Sequence, residues 1–183
     1  MSDQTIIQAP KTTGTSSDAI DSGVGAMERE LAERKFDPAA KKPMLFKMRA
    51  ALPKQGRGQA MLAATDRMWA NLKVYASGGE NELHAHTNED HVFFVLQGGA
   101  TFHGPGGVKI TLERNEGIML PRGTVYSFVA QETEPLVLLR VGCIVDATKN
   151  AWARIGEDGQ KLTGSDAANK AEPTVFYTDR FFE

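Results

Sequence analysis

The sequence predicts an all-β fold, either an antiparallel sandwich or a closed barrel. Beyond Pro43 the chain consists of short apolar segments that are separated by glycine, proline and aspartate. Almost no stretch between these segments has helical periodicity. Many short strands without intervening helices are typical of antiparallel sandwiches and barrels. The length of 183 residues is enough for one domain of ordinary size.

Nine segments have the apolar runs and flanking turn residues that predict strands. The predicted strands are Met44–Arg49, Gln59–Ala64, Met68–Ala76, His91–Leu96, Ala100–His103, Val108–Leu112, Gly117–Leu120, Val125–Ala130 and Leu136–Val145. Thr65 to Arg67 favours a hairpin turn between the second and third of them. A glycine turn at Gly78 leads into a further alternating segment that ends at His86.

The two ends of the chain differ in amino-acid composition from its centre. Residues 1–25 are polar and predict a flexible arm, and Ala26–Phe36 predicts a short helix that ends before Pro38. We therefore expect an N-terminal arm and helix over 1–42, a barrel over 43–147 and a C-terminal extension over 148–183. The extension contains a loop or hairpin from Gly156, and its aromatic tail is expected to pack on the barrel or on a partner subunit.

Composition narrows the classes of partner. The 21 basic and 23 acidic residues nearly cancel, and they are scattered, so a nucleic-acid partner is not expected. The N-terminus lacks a basic region and an apolar core, and no apolar run reaches the length of about 20 residues that spans a membrane. We expect a cytoplasmic protein without a membrane partner. Its one cysteine, Cys143, is expected to be a buried, inert thiol.

Three of the four histidines, His84, His86 and His91, fall within eight residues. Alternate residues of a strand face the same side, so His84 and His86 can direct two imidazoles to one point. If the polar turn after His86 forms a hairpin, His91 meets them from the next strand. Three imidazoles suit a transition metal and leave positions open for water or substrate. A His-x-His pair can equally be two surface residues.

This stretch resembles the first motif of the cupins. That motif is a glycine, five residues, His-x-His, three or four residues, a glutamate, six residues and a glycine. Gly78 stands five residues before His84, and counting back six residues from Gly98 gives His91 at the glutamate position. The resemblance covers roughly residues 68–146.

A second cupin motif, a glycine followed by Pro-x-Gly-x-x-His, is similar to the segment that starts at Gly117. Pro121 and Gly123 match the motif, and Tyr126 stands at the histidine position. The later asparagine of the family is missing.

The resemblance implies a double-stranded β-helix, the cupin jelly-roll barrel, with an N-terminal arm and a short helix. It also implies one divalent transition metal per chain, held by His84, His86 and His91. Fe(II) is favoured, because three-histidine centres occur among cupin thiol and diketone dioxygenases; Zn, Mn, Ni or Co are alternatives. A centre without a carboxylate would leave the metal charge uncompensated and attract an anionic substrate.

Tyr126 has three possible roles: a phenolate ligand, a catalytic acid or base, or a core aromatic. Asp90 and Glu89 are an alternative, because a one-residue slip at the turn could bring Asp90 towards the metal, but the count from Gly98 favours His91.

Four further residues are assigned to substrate binding. Arg140 lies inside an apolar run and must find an anion, either a substrate carboxylate or an internal acid. Phe93, Phe102 and Phe128 alternate suitably to line an aromatic pocket in the barrel.

The function expected from these observations is an Fe(II) dioxygenase that acts on a small anionic organic substrate. One alternative is a redox-neutral lyase or isomerase in which Tyr126 is the acid or base. Another is a cupin that binds or senses a ligand without catalysis. Cupin relatives commonly dimerise, so the expected partners are a small-molecule substrate and a second copy of the chain.

Overall fold

The computed structural model describes residues 42–150, 153–162 and 173–183. These residues form thirteen strands and one short 3-10 turn at Pro105–Gly107, and they contain no α-helix. The predicted arm over residues 1–25 and the helix at Ala26–Phe36 lie outside the described residues. The described residues contain no helix that is long and apolar enough to cross a membrane.

The strands are numbered in chain order. They are β1 (Ala50–Gln55), β2 (Arg57–Ala64), β3 (Met68–Tyr75), β4 (Gly79–His86), β5 (Glu89–Gln97), β6 (Ala100–His103), β7 (Lys109–Leu112), β8 (Gly117–Leu120), β9 (Tyr126–Ala130), β10 (Leu136–Ile144), β11 (Arg154–Gly156), β12 (Lys161–Leu162) and β13 (Val175–Phe182).

Two larger sheets build the barrel. One has five strands in the order β2-β3-β10-β5-β8, and the other has six in the order β12-β11-β4-β9-β6-β7. From β3 to β6 each step along the chain moves to the other sheet. All neighbouring strands are antiparallel. This alternation produces the jelly roll of a double-stranded β-helix, so the predicted fold class is confirmed.

The core lies between the inner faces of the two sheets. On β5, His91, Phe93 and Val95 are buried, whereas Phe94 between them is 44% exposed. On β10, Leu136 and Leu138 point inward in the same alternating manner. Side chains alternate between the two faces of a strand, so each strand contributes every second residue to the core.

The alternation also corrects one expectation from the sequence. Cys143 is exposed, because β10 directs Gly142 inward and Cys143 to the opposite face. The predicted buried thiol was therefore wrong.

A third, two-stranded sheet joins the two ends of the described chain. β13 pairs with β1 from Ala50↔Phe182 to Gln55↔Val175, with a register shift on each side of Pro53. Phe176, Tyr177 and Phe182 pack on an outer apolar cluster that includes residues of β2 and β3. The aromatic tail is thus a strand.

The prediction of a strand at Met44–Arg49 was wrong, because the first strand starts at Ala50. Residues 44–48 of the preceding segment keep their apolar side chains exposed, with Leu45 95% accessible. A strand gains stability when a partner covers its apolar face, and within the described chain these side chains stay at least one-third exposed.

Candidate metal centre

A compact group of three side chains lies at one end of the barrel interior. His86, Glu89 and His91 are all buried, and one ligand atom from each lies within 4.8 Å of the others. His86 is the last residue of β4 and Glu89 is the first residue of β5. Two imidazoles and a carboxylate therefore meet where the chain crosses between the sheets.

This crossing differs from the hairpin expected from the sequence. β4 pairs with β9 and β11 in the six-stranded sheet, whereas β5 pairs with β8 and β10 in the five-stranded sheet. The segment Thr87–Asn88 is therefore a corner between sheets. His91 faces His86 across the barrel interior, with ring centroids 4.3 Å apart.

Asn88 holds this corner in place. Its buried side-chain amide donates to the backbone carbonyl of Asp146 at 2.8 Å, and its oxygen accepts from the Asp146 N–H at 3.0 Å. The paired bonds attach the corner to the end of β10, because both polar ends of the amide are satisfied there. The positions of His86 and Glu89 on either side of the corner depend on this anchor.

Glu89 is held by Trp69 and faces both histidines. The indole N–H of Trp69 donates to Oε1 at 2.7 Å. The other carboxylate oxygen, Oε2, lies 3.1 Å from His91 Nε2 and 3.4 Å from His86 Nδ1. Burial raises the pKa of Glu89 to about 7, although the Arg140 charge and the Trp69 hydrogen bond act in the opposite direction.

The surroundings of His86 favour its neutral imidazole form. Burial, followed by the positive charge of Arg140, lowers the pKa of His86 well below its usual value. Its Nδ1 atom is buried and makes no hydrogen bond. Neutral imidazole is the form that ligates a metal. The donor set and the unsatisfied nitrogen therefore fit a transition-metal ion.

Arg140 reaches the same histidines from β10. Its Nη2 lies 3.2 Å from His86 Nε2 and 3.2 Å from both ring nitrogens of His91. The guanidinium carbon lies 4.9 Å from the ring centroid of Trp69 and 5.3 Å from that of Phe93. The Nε atom is buried without a hydrogen-bond partner. A fixed positive charge thus adjoins the group.

His84 and Tyr126 lie beside this group and are not members of it. The two residues are directly opposite on β4 and β9, and their ring centroids are 4.7 Å apart. His84 donates from Nδ1 to the Glu82 carbonyl at 2.9 Å. The His84 ring is 5.3 Å from the His86 ring. Ligation by His84 and a chemical role for Tyr126 stay predictions.

The predicted aromatic residues belong to the hydrophobic core cluster next to this group. Phe93, Phe102 and Phe128 are buried, with Phe93 5.5 Å from Phe102 and 5.9 Å from Phe128 between ring centroids. Tyr126 contacts Phe93 at 5.9 Å. The core beside the group is therefore apolar and aromatic.

Glu89 belongs to the group, although the sequence prediction placed Asp90 and Glu89 below His91 as alternatives. The expected three-histidine centre had no carboxylate, whereas the group that could hold a metal in the structure includes Glu89. Glu89 and His91 are two positions apart, with Asp90 between them, so the period of a strand places both on one face once β5 begins at Glu89. Asp90 faces the other way, is partly exposed and accepts a 2.7 Å hydrogen bond from the Arg122 N–H.

The fold and the site together define a small jelly-roll protein with a candidate metal centre inside its barrel. Residues 71–142 match a family model described as a cupin domain, and this match supports the cupin superfamily for that part of the chain. No curated protein matches the chain.

Three solved structures are similar to parts of the chain. KdgF from Halomonas sp. is 23% identical, with 51% of this chain and 84% of that chain covered and a TM-score of 0.44. A cupin-like protein from Thermotoga maritima is 18% identical, with 54% and 76% covered and a TM-score of 0.47. The Cnp3 cupin domain of Schizosaccharomyces pombe is 18% identical, with 50% and 67% covered and a TM-score of 0.45.

Proposed function

We propose that the protein is a mononuclear non-haem Fe(II) dioxygenase that acts on a small anionic organic substrate. The metal ligands are His86, Glu89 and His91. The observation that carries this proposal is the buried set of two imidazoles and one carboxylate within 4.8 Å. Two histidines and one carboxylate with open coordination positions are the donor set of non-haem Fe(II) oxygenases. A bound Fe(II) ion would supply the redox chemistry that activates oxygen.

The carboxylate changes the charge expected at the centre. Glu89 contributes one negative charge when ionised, and ionisation is required for ligation. Its raised pKa means that metal binding near neutral pH displaces a proton from this side chain. Trp69 orients the carboxylate through Oε1 and leaves Oε2 directed at the two histidines. Such a hydrogen bond fixes a ligand before the metal arrives.

The position of Arg140 supports the proposal that the substrate is anionic. Its guanidinium adjoins both histidines, and its Nε is unsatisfied in a buried position. A guanidinium pairs with a carboxylate through two parallel hydrogen bonds. Arg140 would hold the substrate anion next to the centre, while the apolar ring of Phe93 excludes water from the same space.

A second candidate function is a redox-neutral lyase or isomerase. The observation that favours it is the buried phenol of Tyr126, which lies directly opposite His84 and tilts against its ring at 4.7 Å. A phenol in this position could donate or accept a proton at the substrate.

Metal analysis tests the proposed centre. The full chain, purified from iron-supplemented cells, is compared with Glu89→Gln and with Glu132→Gln, a matched change at an exposed turn. We expect close to one iron per chain in the wild type and in Glu132→Gln, and a large loss in Glu89→Gln. Equal metal contents in all three proteins would reject the assignment of Glu89.

Oxygen consumption separates the two enzyme classes. The iron-loaded protein is screened with small organic acids in an oxygen electrode and by product analysis. Oxygen uptake that is stoichiometric with substrate loss supports the dioxygenase, whereas turnover that persists without oxygen supports the lyase or isomerase. A ligand that binds without turnover supports the non-catalytic alternative.

We also propose that the chain forms a homodimer. The exposed apolar side chains of Met44, Leu45 and Phe46 support this, because a partner chain would cover them. Light scattering coupled to size exclusion gives the mass in solution.

A further inference from the structure

A second arginine lies next to the candidate centre, on the strand that flanks β4. Arg154 of β11 is directly opposite His86 in the antiparallel pairing. Directly opposite residues of an antiparallel pair place their side chains on the same face, so Arg154 shares a face with His86. Its positive charge is one of the causes that lower the pKa of His86, which agrees with this proximity. The Arg154 side chain is only half-buried.

Arg140 and Arg154 approach the same imidazole from different sheets. Arg140 belongs to β10 of the five-stranded sheet and contacts His86 Nε2 at 3.2 Å. Arg154 belongs to β11 of the six-stranded sheet. His86 therefore has one buried guanidinium and one half-buried guanidinium as neighbours.

Both guanidinium groups have unused hydrogen-bonding capacity. The Nε of Arg140 is buried without a partner, and Arg140 is 94% buried, since its relative exposure is 6%. The Arg154 guanidinium makes no hydrogen bond or ion pair with another described residue. A buried donor without an acceptor costs free energy, and an anionic ligand would supply the acceptors.

The local charge balance favours an anion with more than one charge. Glu89 is the one buried carboxylate among the described residues. Two arginines against one carboxylate leave an excess of one positive charge, and a divalent metal would raise the excess to three. One carboxylate on a ligand would compensate only part of that charge.

We propose that a small dicarboxylate binds between these two arginines, with Arg140 binding one carboxylate inside the barrel and the half-buried Arg154 binding the other nearer to solvent. The two arginines belong to different sheets and differ in exposure, which matches two separated anionic groups on one molecule. Arg154 is then the residue that distinguishes dicarboxylates from monocarboxylates. This inference rests on the proposed function for the anionic nature of the substrate.

Calorimetric titration of the metal-free full chain tests the proposal without turnover. The probes are malonate, succinate and glutarate, each paired with the monocarboxylate of equal carbon number: propionate, butyrate and valerate. Inorganic phosphate serves as a compact dianion. The proteins are the wild type, Arg154→Gln, and Arg114→Gln as a matched change at an exposed arginine in the turn before β8.

We expect the best dicarboxylate to bind the wild type and Arg114→Gln about tenfold more tightly than the monocarboxylate of equal carbon number does. The reason is that the second carboxylate forms a second charge-assisted pair. Arg154→Gln should lose most of this preference and keep the monocarboxylate Kd within about twofold. An unchanged preference in Arg154→Gln overturns the proposal. So does the absence of binding by every probe, or tighter binding of phosphate than of any dicarboxylate.

The metal content of the iron-supplemented protein is measured in parallel, so that the two proposals fail separately. A dicarboxylate preference that depends on Arg154 in a protein that retains no metal supports this inference and rejects the metal enzyme. A protein that retains iron through Glu89 but shows no such preference rejects this inference and keeps the proposed function.

Discussion

The indole N–H of Trp69 donates a 2.7 Å hydrogen bond to Oε1 of Glu89. Trp69 is on β3 and Glu89 is on β5, and β10 separates these strands in the sheet. At the crossing point β10 carries Gly142, which is the register partner of both Trp69 and His91. The absence of a side chain at Gly142 leaves room for the indole to reach across the strand.

Replacement of Trp69 by phenylalanine removes the donor and keeps an aromatic ring. Without that hydrogen bond the pKa of Glu89 should rise further, because the bond favours the ionised carboxylate. We expect metal affinity to fall about 10- to 100-fold and the free energy of unfolding to fall by about 1–3 kcal/mol. Chelator competition and denaturant unfolding measure the two effects, with Met68→Leu as a control at an exposed neighbour. Unchanged metal affinity in Trp69→Phe would contradict a role for the indole in orienting Glu89.

Alanine at position 142 tests the same relationship from the other strand. A Cβ atom on Gly142 would fall on the indole ring and lie 2.7 Å from its Nε1, so Trp69 must move. We expect a loss of stability of about 1–3 kcal/mol from overpacking, together with weaker metal binding. Gly104→Ala is the control, because a Cβ there meets only ordinary contacts of 3.5 Å or more. If Gly142→Ala binds metal like the wild type, the placement of Trp69 does not govern the centre.

The raised pKa of Glu89 predicts how the stability of the metal-free protein depends on pH. The folded chain holds the Glu89 proton more tightly than the unfolded chain, whose pKa is near 4.5. This contribution to stability is therefore present at low pH and is lost as the pH rises from about 4.5 to about 7. The difference between the two pKa values corresponds to about 3 kcal/mol in the free energy of unfolding.

His86 acts in the opposite direction, because its lowered pKa makes acid destabilising below its usual value of 6.5. The difference between wild type and Glu89→Gln isolates the Glu89 contribution, since both proteins retain His86. Denaturant unfolding in chelator at a series of pH values gives this difference. Parallel stability profiles for the two proteins would contradict the raised pKa.

The four histidines predict a graded set of metal affinities. We expect His86→Ala and His91→Ala to lose most of the bound metal, because both imidazoles belong to the compact group. His84→Ala should retain metal with a smaller loss of affinity, and His103→Ala, on β6, should resemble the wild type. Equal losses for His84→Ala and His86→Ala would restore the three-histidine centre that the motif predicts.

The sequence predicts the fold well because two independent signals agree, namely the alternation of apolar residues and the spacing of a motif. Alternation places Phe93 and Leu138 in the core, and the spacing around Gly78 and Gly98 marks the motif that the barrel contains. The boundaries of the first strands were less predictable. Residues 44–49 are as apolar as a strand, but only the tertiary pairing of β1 with β13 determines that pairing begins at Ala50.

The ligand set was harder to predict than the fold. The motif count marks His91, and it therefore ranks Glu89, two positions earlier, below that histidine. Its membership depends on where β5 begins and on the sheet-to-sheet corner at Asn88. The proximity of Arg154 to His86 depends on β11, which pairs with β4 only after the chain returns from β10.

The corner at Thr87–Asn88 places His86 on one sheet and Glu89 and His91 on the other. A cation held by all three would act as a cross-link between the two halves of the barrel. If the metal binds the closed barrel and not the opened one, it stabilises the closed barrel by a free energy that grows with the logarithm of the free metal concentration. Metal binding would therefore oppose separation of the two sheets. Hydrogen exchange of the backbone amides in β4 and β5 would slow as metal is added.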